Sequence, residues 1–373
     1  VVYSQWRYAR DIDLGFDKER LLVISPAGGE KLESRQEALR QELLRLPGLD
    51  AVARASDTPP LSDNNNTLVK LPDVPGDDLL VIETMQVDYN FFPTLGVKPV
   101  AGRLFSSDHA ADVMPPDAEK LETRVSVGVV LNRKAVQRLG FADAQSAVGK
   151  TFQVSLGEDK YADATVVGVV DDLHMRSIHD EITPSLYYAG DDVKVFYSFV
   201  LRLKPGAQEA TLAAIDRAWA GLYPEVPIQR TFVDEDFAKL YAAEEERVKM
   251  FVGFSGLAIF VACLGLFGLA SFTADRRTRE IGIRKVLGAS NGDLVRLLLW
   301  QFSQPVLSAN LLAWPVAWYF LQSWLNNFPY RVDLSPLPFA AAGLLALFIA
   351  WGTVLSHARR VAGSDAVVAL RYE

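Results

Sequence analysis

Residues 251–274, FVGFSGLAIFVACLGLFGLASFTA, form an apolar run without a single charge. The run exceeds the roughly 20 residues that a helix needs to cross the hydrocarbon core of a bilayer. It is too long for the core of a signal peptide and lies deep in the chain. Directly behind it comes a short basic segment at 276–290, RRTREIGIRKVLGAS. Two further candidate spans follow, at about 297–325, interrupted by Pro305 and Pro315, and at about 339–355. Prolines are tolerated inside membrane helices and are expected to kink the second span. Trp300, Trp314, Trp318, Tyr319, Trp324 and Trp351 supply candidates for an interfacial aromatic belt.

The chain as a whole is 50% hydrophobic yet 23% charged, which fits a polar domain joined to membrane segments. A net charge of −8 gives no footprint for nucleic acid. The one cysteine, Cys263, sits inside the first apolar run, so neither a disulfide framework nor a thiolate cluster is expected.

Loop charges set the orientation. Arg276, Arg277, Arg279, Arg284, Lys285 and Arg296 follow the first span, and Arg359, Arg360 and Arg371 follow the third, whereas the loop between spans two and three offers only Arg331. The positive-inside bias therefore puts 275–296 and the C-terminus in the cytoplasm and residues 1–250 outside. A large exported region needs an upstream segment to start its translocation. Because the sequence opens Val1-Val2-Tyr3, the expectation is a piece of a longer product, with Tyr3, Trp6, Arg7 and Arg10 at the interfacial end of a preceding membrane helix.

The outer region reads as mixed α and β. A strand is expected at 21–25 and an amphipathic helix at 30–46, through Leu32, Leu39, Leu43 and Leu46. Strand-like runs follow at 67–71, 79–87, 125–131, 151–156, 164–170 and 198–203, then a second helix at 207–222. Two βα-like units around a strand-rich insertion predict an α+β domain with two lobes. Residues 112–121, with Pro115-Pro116 and several charges, read as a surface loop. Residues 234–250, DEDFAKLYAAEEERVKM, contain no helix breaker and predict a stalk helix running into the first span.

Several passages together resemble the permeases of the FtsX and MacB group of ABC systems, the type VII transporters. They are RRTREIGIRKVLGAS, VDYNFFPTLGVKPVAGRLFS (87–106), VVLNRKAVQRLGF (129–141), VGKTF (148–152), VVGVVDDLHMRSIHDEITPSLYY (166–188) and the tail ARRVAGSDAVVALRYE. The start, YSQWRYARDIDLGFDKERLLVI, is similar to the region after a membrane helix in long permeases with two such halves, so the C-terminal half of a two-unit permease is expected. The resemblance implies a helical lead-in at 1–19, a MacB-like periplasmic core domain at 20–233, the stalk at 234–250 and an FtsX-like transmembrane domain at 251–373. Three membrane helices are visible where the family has four.

The resemblance also implies a multi-pass protein of the bacterial inner membrane whose partner is a cytoplasmic ABC ATPase. That ATPase would dock on a coupling helix at 275–290. Ile281, Ile283, Val286 and Leu287 offer it apolar contact, while Arg277, Arg279, Glu280, Arg284 and Lys285 offer charge, and Gly282 and Gly288 permit close approach or helix ends. The bland alternative is a basic interfacial helix lying on lipid. ATP and magnesium would stay on the ATPase, with no cofactor on this chain. Other implied partners are a second permease half or a homodimer partner, membrane lipid and a periplasmic adaptor. The expected function is mechanotransmission for efflux or extraction of a substrate. The alternative is a non-transporting regulatory subunit that controls a cell-wall hydrolase or an antimicrobial-peptide response.

Four motifs invite sharper readings. AQSAVGKT at 144–151 matches a relaxed phosphate-loop pattern, but Gly149-Lys150-Thr151 leads into a strand rather than a helix. His174 and His179 are five apart, which is not the spacing of a helical zinc pair, so Asp171, Asp172, Asp180 and Glu181 around them read as a solvated loop. Gln301, Ser303, Gln304, Ser308 and Asn310 within the second span are expected to face other helices. Gly253, Gly256, Gly265 and Gly268 in the first span provide small residues for close packing against a second half. The topology has a direct test in a background without Cys263. A cysteine introduced within 60–120 should react with an impermeant thiol reagent on intact cells, and one within 276–290 should not; the reverse pattern would overturn the orientation.

Overall fold

The computed structural model describes residues 1–25, 30–61, 65–71, 79–121, 125–157, 160–177, 179–190, 192–206, 208–276, 283, 287 and 289–363. The N-terminal elements are α1 (Val2–Asp11), β1 (Leu21–Ile24), α2 (Glu30–Glu33), α3 (Gln36–Leu44), β2 (Leu49–Ala55), β3 (Asn66–Lys70), β4 (Leu80–Val87) and α4 (Phe91–Leu95). After them come β5 (Ala101–Gly102), β6 (Val113–Met114), β7 (Ser126–Asn132), α5 (Arg133–Arg138), α6 (Ala144–Ala147), β8 (Thr151–Gly157), β9 (Lys160–Val170) and β10 (Ser185–Gly190). The remainder is β11 (Ser198–Leu203), α7 (Gln208–Leu222), β12 (Arg230–Phe232), α8 (Val233–Arg276), α9 (Asn291–Leu325) and α10 (Leu337–Gly363). Two compact units emerge: an α/β unit, Arg10–Tyr241, and a helical unit of Val1–Ala9 with Ala242–Glu373.

The α/β unit has two hydrophobic cores. In the first, β12, β1, β11 and β2 lie side by side, all antiparallel. Leu22 and Ile24 on β1 and Phe199, Leu201 and Leu203 on β11 alternate onto one face, where Leu39, Leu43, Ile215 and Trp219 of α3 and α7 cover them. The opposite face is covered too: Phe91, Phe92 and Leu95 of α4 are buried, and α4 packs on β2 and β11. Both faces being dry, β1 and β11 are buried at every position. The guanidinium of Arg202 is tied there by donating to Thr94 O (2.7 Å), Asp17 O (2.7 Å), Glu19 O (2.9 Å) and the Asp17 carboxylate (2.8 Å).

The second core lies inside a closed ring of six strands. Strand β4 pairs with β3, β3 with β8, β8 with β9, β9 with β7, β7 with β10, and β10 returns in parallel to β4. Alternate residues point inward, with Val127, Val129 and Leu131 from β7, Ala162, Ala164 and Val166 from β9, and Phe152 and Val154 from β8. One pairing, Ala55 with Val87, joins β2 of the first sheet to β4 of the ring.

Most expected strands are present within one to four residues of their predicted ends, as are both helices. The helix expected at 30–46 is broken into α2 and α3, and Gln36, the first residue of α3, turns its buried amide onto Phe196 O at 2.9 Å. The loop reading of 112–121 holds only in part. Asp112 is buried, accepts from the Arg103 guanidinium at 2.9 Å and lies so close to Gly128 that a Cβ there would sit 2.6 Å from its Oδ1. Strands β2 and β10 and the short β5, β6 and β12 are additional to the expectation.

In the helical unit α9 and α10 pack against each other. Trp351 Nε1 donates to Ser303 Oγ at 2.8 Å, and a Cβ on Gly343 would sit 3.1 Å from Asn310 Oδ1, so these polar residues of α9 face α10. Helix α9 continues through both prolines. The Gln5 side chain of α1 donates to Tyr330 O (2.8 Å) and accepts from Val332 N (2.9 Å), which ties α1 to the segment after α9. Among the described residues, one helix stretch, Val233–Leu269 of α8, passes as a membrane span on length and hydropathy, and none of its apolar window is buried. Helices α9 and α10 coincide with the other two expected spans; the polar residues of α9 dilute its hydropathy, and among the described residues the apolar stretch of α10 is Leu337–Gly352.

Two stability measurements follow from this packing. Phe152 fills the ring and is 1% exposed, so Phe152→Ala should cost about 3–5 kcal/mol, read as the urea midpoint of the strand circular-dichroism signal. Val81, 54% exposed, should cost no more than about 0.5 kcal/mol on the same change. Asp88 lies where β4 meets α4, accepting from Arg54 N (2.9 Å) and Asn90 N (3.0 Å). Burial nonetheless pushes its pKa up to about 6, the hydrogen bonds and Arg54 opposing only in part. Between about pH 4 and 6 the folded chain holds a proton that the unfolded chain has released, so this group's contribution falls as pH rises. The loss is about 3 kcal/mol by pH 7. Melting curves of the wild type should therefore decline relative to Asp88→Asn across that window; parallel pH profiles would show that Asp88 does not titrate there.

Candidate functional site

The segment between α8 and α9 is where the sequence concentrates its signal. Helix α8 ends at Arg276, and α9 starts behind a capping box. In that box Ser290 Oγ accepts from Asp293 N (3.2 Å) while the Asp293 carboxylate accepts from Ser290 N (3.1 Å). This pins the start of α9 and leaves a short connector for any docking element. Within the connector Leu287 N donates to Ile283 O at 3.0 Å, one turn of α-helix geometry. Both side chains face outward, Ile283 47% and Leu287 80% exposed. Apolar side chains so placed are available to a partner surface or to lipid. The other candidate residues, Arg277, Arg279, Glu280, Ile281, Gly282, Arg284, Lys285 and Gly288, lie outside the described residues, as does Val286.

A second apolar surface belongs to α8 itself. Met250, Phe254, Leu257, Phe260, Val261, Leu264 and Leu269 are all more than half exposed. A Cβ added at Gly253, Gly256, Gly265 or Gly268 would meet nothing within 4 Å. Small and large apolar residues alike thus stand open around this helix, where hydrocarbon or a packed helix can cover them.

The α/β unit holds the residues singled out for sharper chemistry. Ala144–Ala147 forms helix α6, capped by Asp143, and leads through Gly149 into β8. That order, helix then turn then strand, is the reverse of a phosphate loop. The amides that would cradle phosphate are already used: Gly149 N donates to Val166 O (2.8 Å) and Lys150 N to Ala147 O (3.1 Å). The loop expected from Asp171 is solvated at Asp171, Asp180 and Glu181 but not throughout. Leu173, His174 and Met175 are buried, and burial holds the His174 imidazole below its usual pKa against the pull of Asp172 and Asp13. Asp172 accepts from Lys134 N (2.9 Å) at the start of α5, and Asp171 accepts from the Arg133 guanidinium (2.9 Å). Among the described residues no group of three or more His, Cys, Asp or Glu is placed to hold a metal.

Sequence reasoning missed one polar cluster. Glu83, buried on β4, accepts from both the Arg176 guanidinium and the Thr183 hydroxyl at the wall of a narrow cleft of about 30 Å³. Arg176 also reaches Leu61 O at 3.4 Å. A carboxylate that accepts from both a guanidinium and a hydroxyl is held in place, so the cluster works as a clamp. Its members are 93 and 100 residues apart in sequence, and no local pattern marks them.

Comparisons with known proteins follow the same division. Residues 8–218 match the family model of the MacB-like periplasmic core domain, and residues 252–366 match that of the FtsX-like permease C-terminal region. The macrolide export ATP-binding/permease protein MacB of Bartonella quintana (strain Toulouse) is 24% identical over 286 residues. That match takes in 74% of this chain but 38% of the relative. The periplasmic region of MacB from Actinobacillus actinomycetemcomitans aligns with 61% of this chain and 94% of its own, at 12% identity and a TM-score of 0.39. The extracellular domain of the noncanonic ABC-type transporter YknZ aligns with 57% and 99%, at 10% identity and a TM-score of 0.37. A domain of a permease protein from Porphyromonas gingivalis aligns with 58% and 92%, at 16% identity and a TM-score of 0.35. With one family model covering more than half of its length and the second following in order, the chain belongs to the FtsX/MacB-type ABC transporter permease family.

Proposed function

We propose that this chain is a permease component that couples ATP hydrolysis by a separate cytoplasmic ABC ATPase to a rearrangement of its α/β unit outside the membrane, driving efflux or extraction of a substrate. The observation that carries the proposal is helix α8. It is one element of 44 residues, roughly 65 Å at 1.5 Å per residue, which starts after the MacB-like match ends at 218 and runs into the FtsX-like match that begins at 252. At its start Val233, Phe237 and Tyr241 are buried at helical spacing in the α/β unit, and Phe237 lies 6.4 Å from the Phe16 ring. At its other end it leads into the connector that exposes Ile283 and Leu287. A push on that connector would act on a helix that is anchored by side chains in the α/β unit.

In this reading the connector and the C-terminus are cytoplasmic, residues 1–250 are periplasmic, and α8, α9 and α10 all cross the inner membrane. The ATPase grips Ile281, Ile283 and Leu287 with apolar contacts and Arg277, Arg279, Glu280, Arg284 and Lys285 with charge. Gly282 and Gly288 let backbones approach. ATP and magnesium stay on that partner, and a periplasmic adaptor is a further partner. The open glycine-bearing surface of α8 takes a second permease half or a second copy, which supplies the packing that α9 and α10 leave undone. The chain itself breaks no covalent bond. Charge reversal tests the docking step: Arg284→Glu with Lys285→Glu should cut co-purification with the ATPase by at least about tenfold while membrane insertion is retained. Undiminished co-purification would sink the assignment of this segment.

A further inference from the structure

We infer that the six-strand ring holds a small-molecule site, independent of the ATPase reading, for an uncharged and mainly apolar ligand of one or two rings carrying one hydrogen-bonding group. A ring of so few strands is normally filled by its own side chains. Here a pocket of about 260 Å³ remains, lined by residues of β3, β4, β6, β7, β8 and β10, with the exposed Asn66 at its edge. For scale, an engineered apolar cavity of roughly 150 Å³ admits benzene.

Two features of the hydrogen bonding keep the pocket open. Strand β4 changes partner midway, pairing with β3 through Leu80–Glu83 and with β10 from Glu83 onward. On the adjoining side β3 and β8 share only two residue pairs, Val69 with Val154 and Lys70 with Gln153. Beyond them the strands are held by a side chain, Thr67 Oγ1 donating to Ser155 O at 3.0 Å. Side chains that would meet across a full ladder therefore stand apart.

The lining defines the ligand. Val127, Val129, Val154 and Leu186 give an apolar wall, and among the described residues no charged side chain lines the space. The hydroxyls of Thr67 and Thr84 are turned to backbone carbonyls. Tyr188 is different: it borders the pocket half-buried, and its hydroxyl makes no hydrogen bond among the described residues. A phenol at the edge of an apolar pocket, with its hydroxyl not committed to a carbonyl, can donate to a ligand that brings one acceptor. Ionised ligands are disfavoured, because none of the described lining residues carries a charge to offset their desolvation.

The test uses the full chain in lipid nanodiscs and benzyl alcohol bearing a trifluoromethyl-diazirine, photolysed and mapped by peptide. Adducts are expected on the peptides carrying residues 126–132 and 185–190, saturating with probe and displaced by excess benzyl alcohol. Labelling of the membrane helices is expected as well and does not bear on the site. Val129→Trp fills the pocket and should cut ring labelling by at least about tenfold with the strand signal intact. Tyr188→Phe leaves the space but removes the hydroxyl, so displacement by benzyl alcohol should weaken about fivefold while displacement by toluene is unchanged. Ring adducts that fail to saturate, or that survive Val129→Trp, would overturn the site. Equal displacement by benzyl alcohol in wild type and Tyr188→Phe would overturn the role of the hydroxyl, even if Val129→Trp failed to fold.

Discussion

Everything in the α/β unit hangs on β4. It hydrogen-bonds to β3 along its first half and to β10 along its second, and its last residue, Val87, meets β2. Closing a ring in this way removes sheet edges that would otherwise be open to stray pairing. It also forces polar groups into the places where partners change. Glu83 stands at the switch from β3 to β10 and is neutralised by Arg176 and Thr183, the latter next to the start of β10. Asp88 stands just past the contact with β2, and it binds the backbone of Arg54 within that strand. These two carboxylates hold the seams. The raised pKa of Asp88 is the energetic signature of burying a carboxyl in a dry junction, which its hydrogen bonds to backbone amides offset only in part.

The helical unit obeys a different constraint. Between α9 and α10 two polar side chains of α9 have an explanation, since Ser303 meets Trp351 and Asn310 lies against Gly343, whereas Gln304 and Ser308 are exposed and Ser308 bonds to carbonyls of its own helix. Around α8 apolar side chains stand open on all sides. The contrast shows where hydrocarbon or a further helix must supply what the chain does not. A water-exposed α8 of this composition would lose about 25 cal/mol for every Å² of apolar surface left uncovered.

Legibility followed sequence distance. Strands β7, β9 and β11 and helix α7 were readable because their own periodicity marks them, and α8 because nothing in 233–276 breaks a helix. Strand β2 was missed because it carries the buried Arg54, whose charge masks the pattern until Phe196 is seen 4.7 Å from it. Strand β10 was missed because it is short and earns its place only by pairing with β4 and β7, far away in sequence. The ring closure, the Glu83 clamp and the pocket are non-local for the same reason. The connector behind α8 was legible in the opposite sense. Its composition is local and distinctive, yet of its ten candidate residues only Ile283 and Leu287 lie among those described.

The two functional readings place their demands on separate parts of the chain. Coupling to an ATPase asks for a connector with exposed apolar and charged side chains and for a helix fastened at its far end, which Val233, Phe237 and Tyr241 provide. A ligand site asks for a rigid frame around a space that cannot collapse, and a ring closed by six strand pairings is such a frame. Because side chains in the ring sit on hydrogen-bonded strands, widening or narrowing the pocket requires a change at a seam rather than a rotamer flip. The seam most open to such a change is the short β3–β8 pairing. Occupancy of the pocket and the spacing of those two strands are therefore one physical variable: a ligand that separates them strains the Thr67–Ser155 link and, through β4, pulls on the clamp at Glu83.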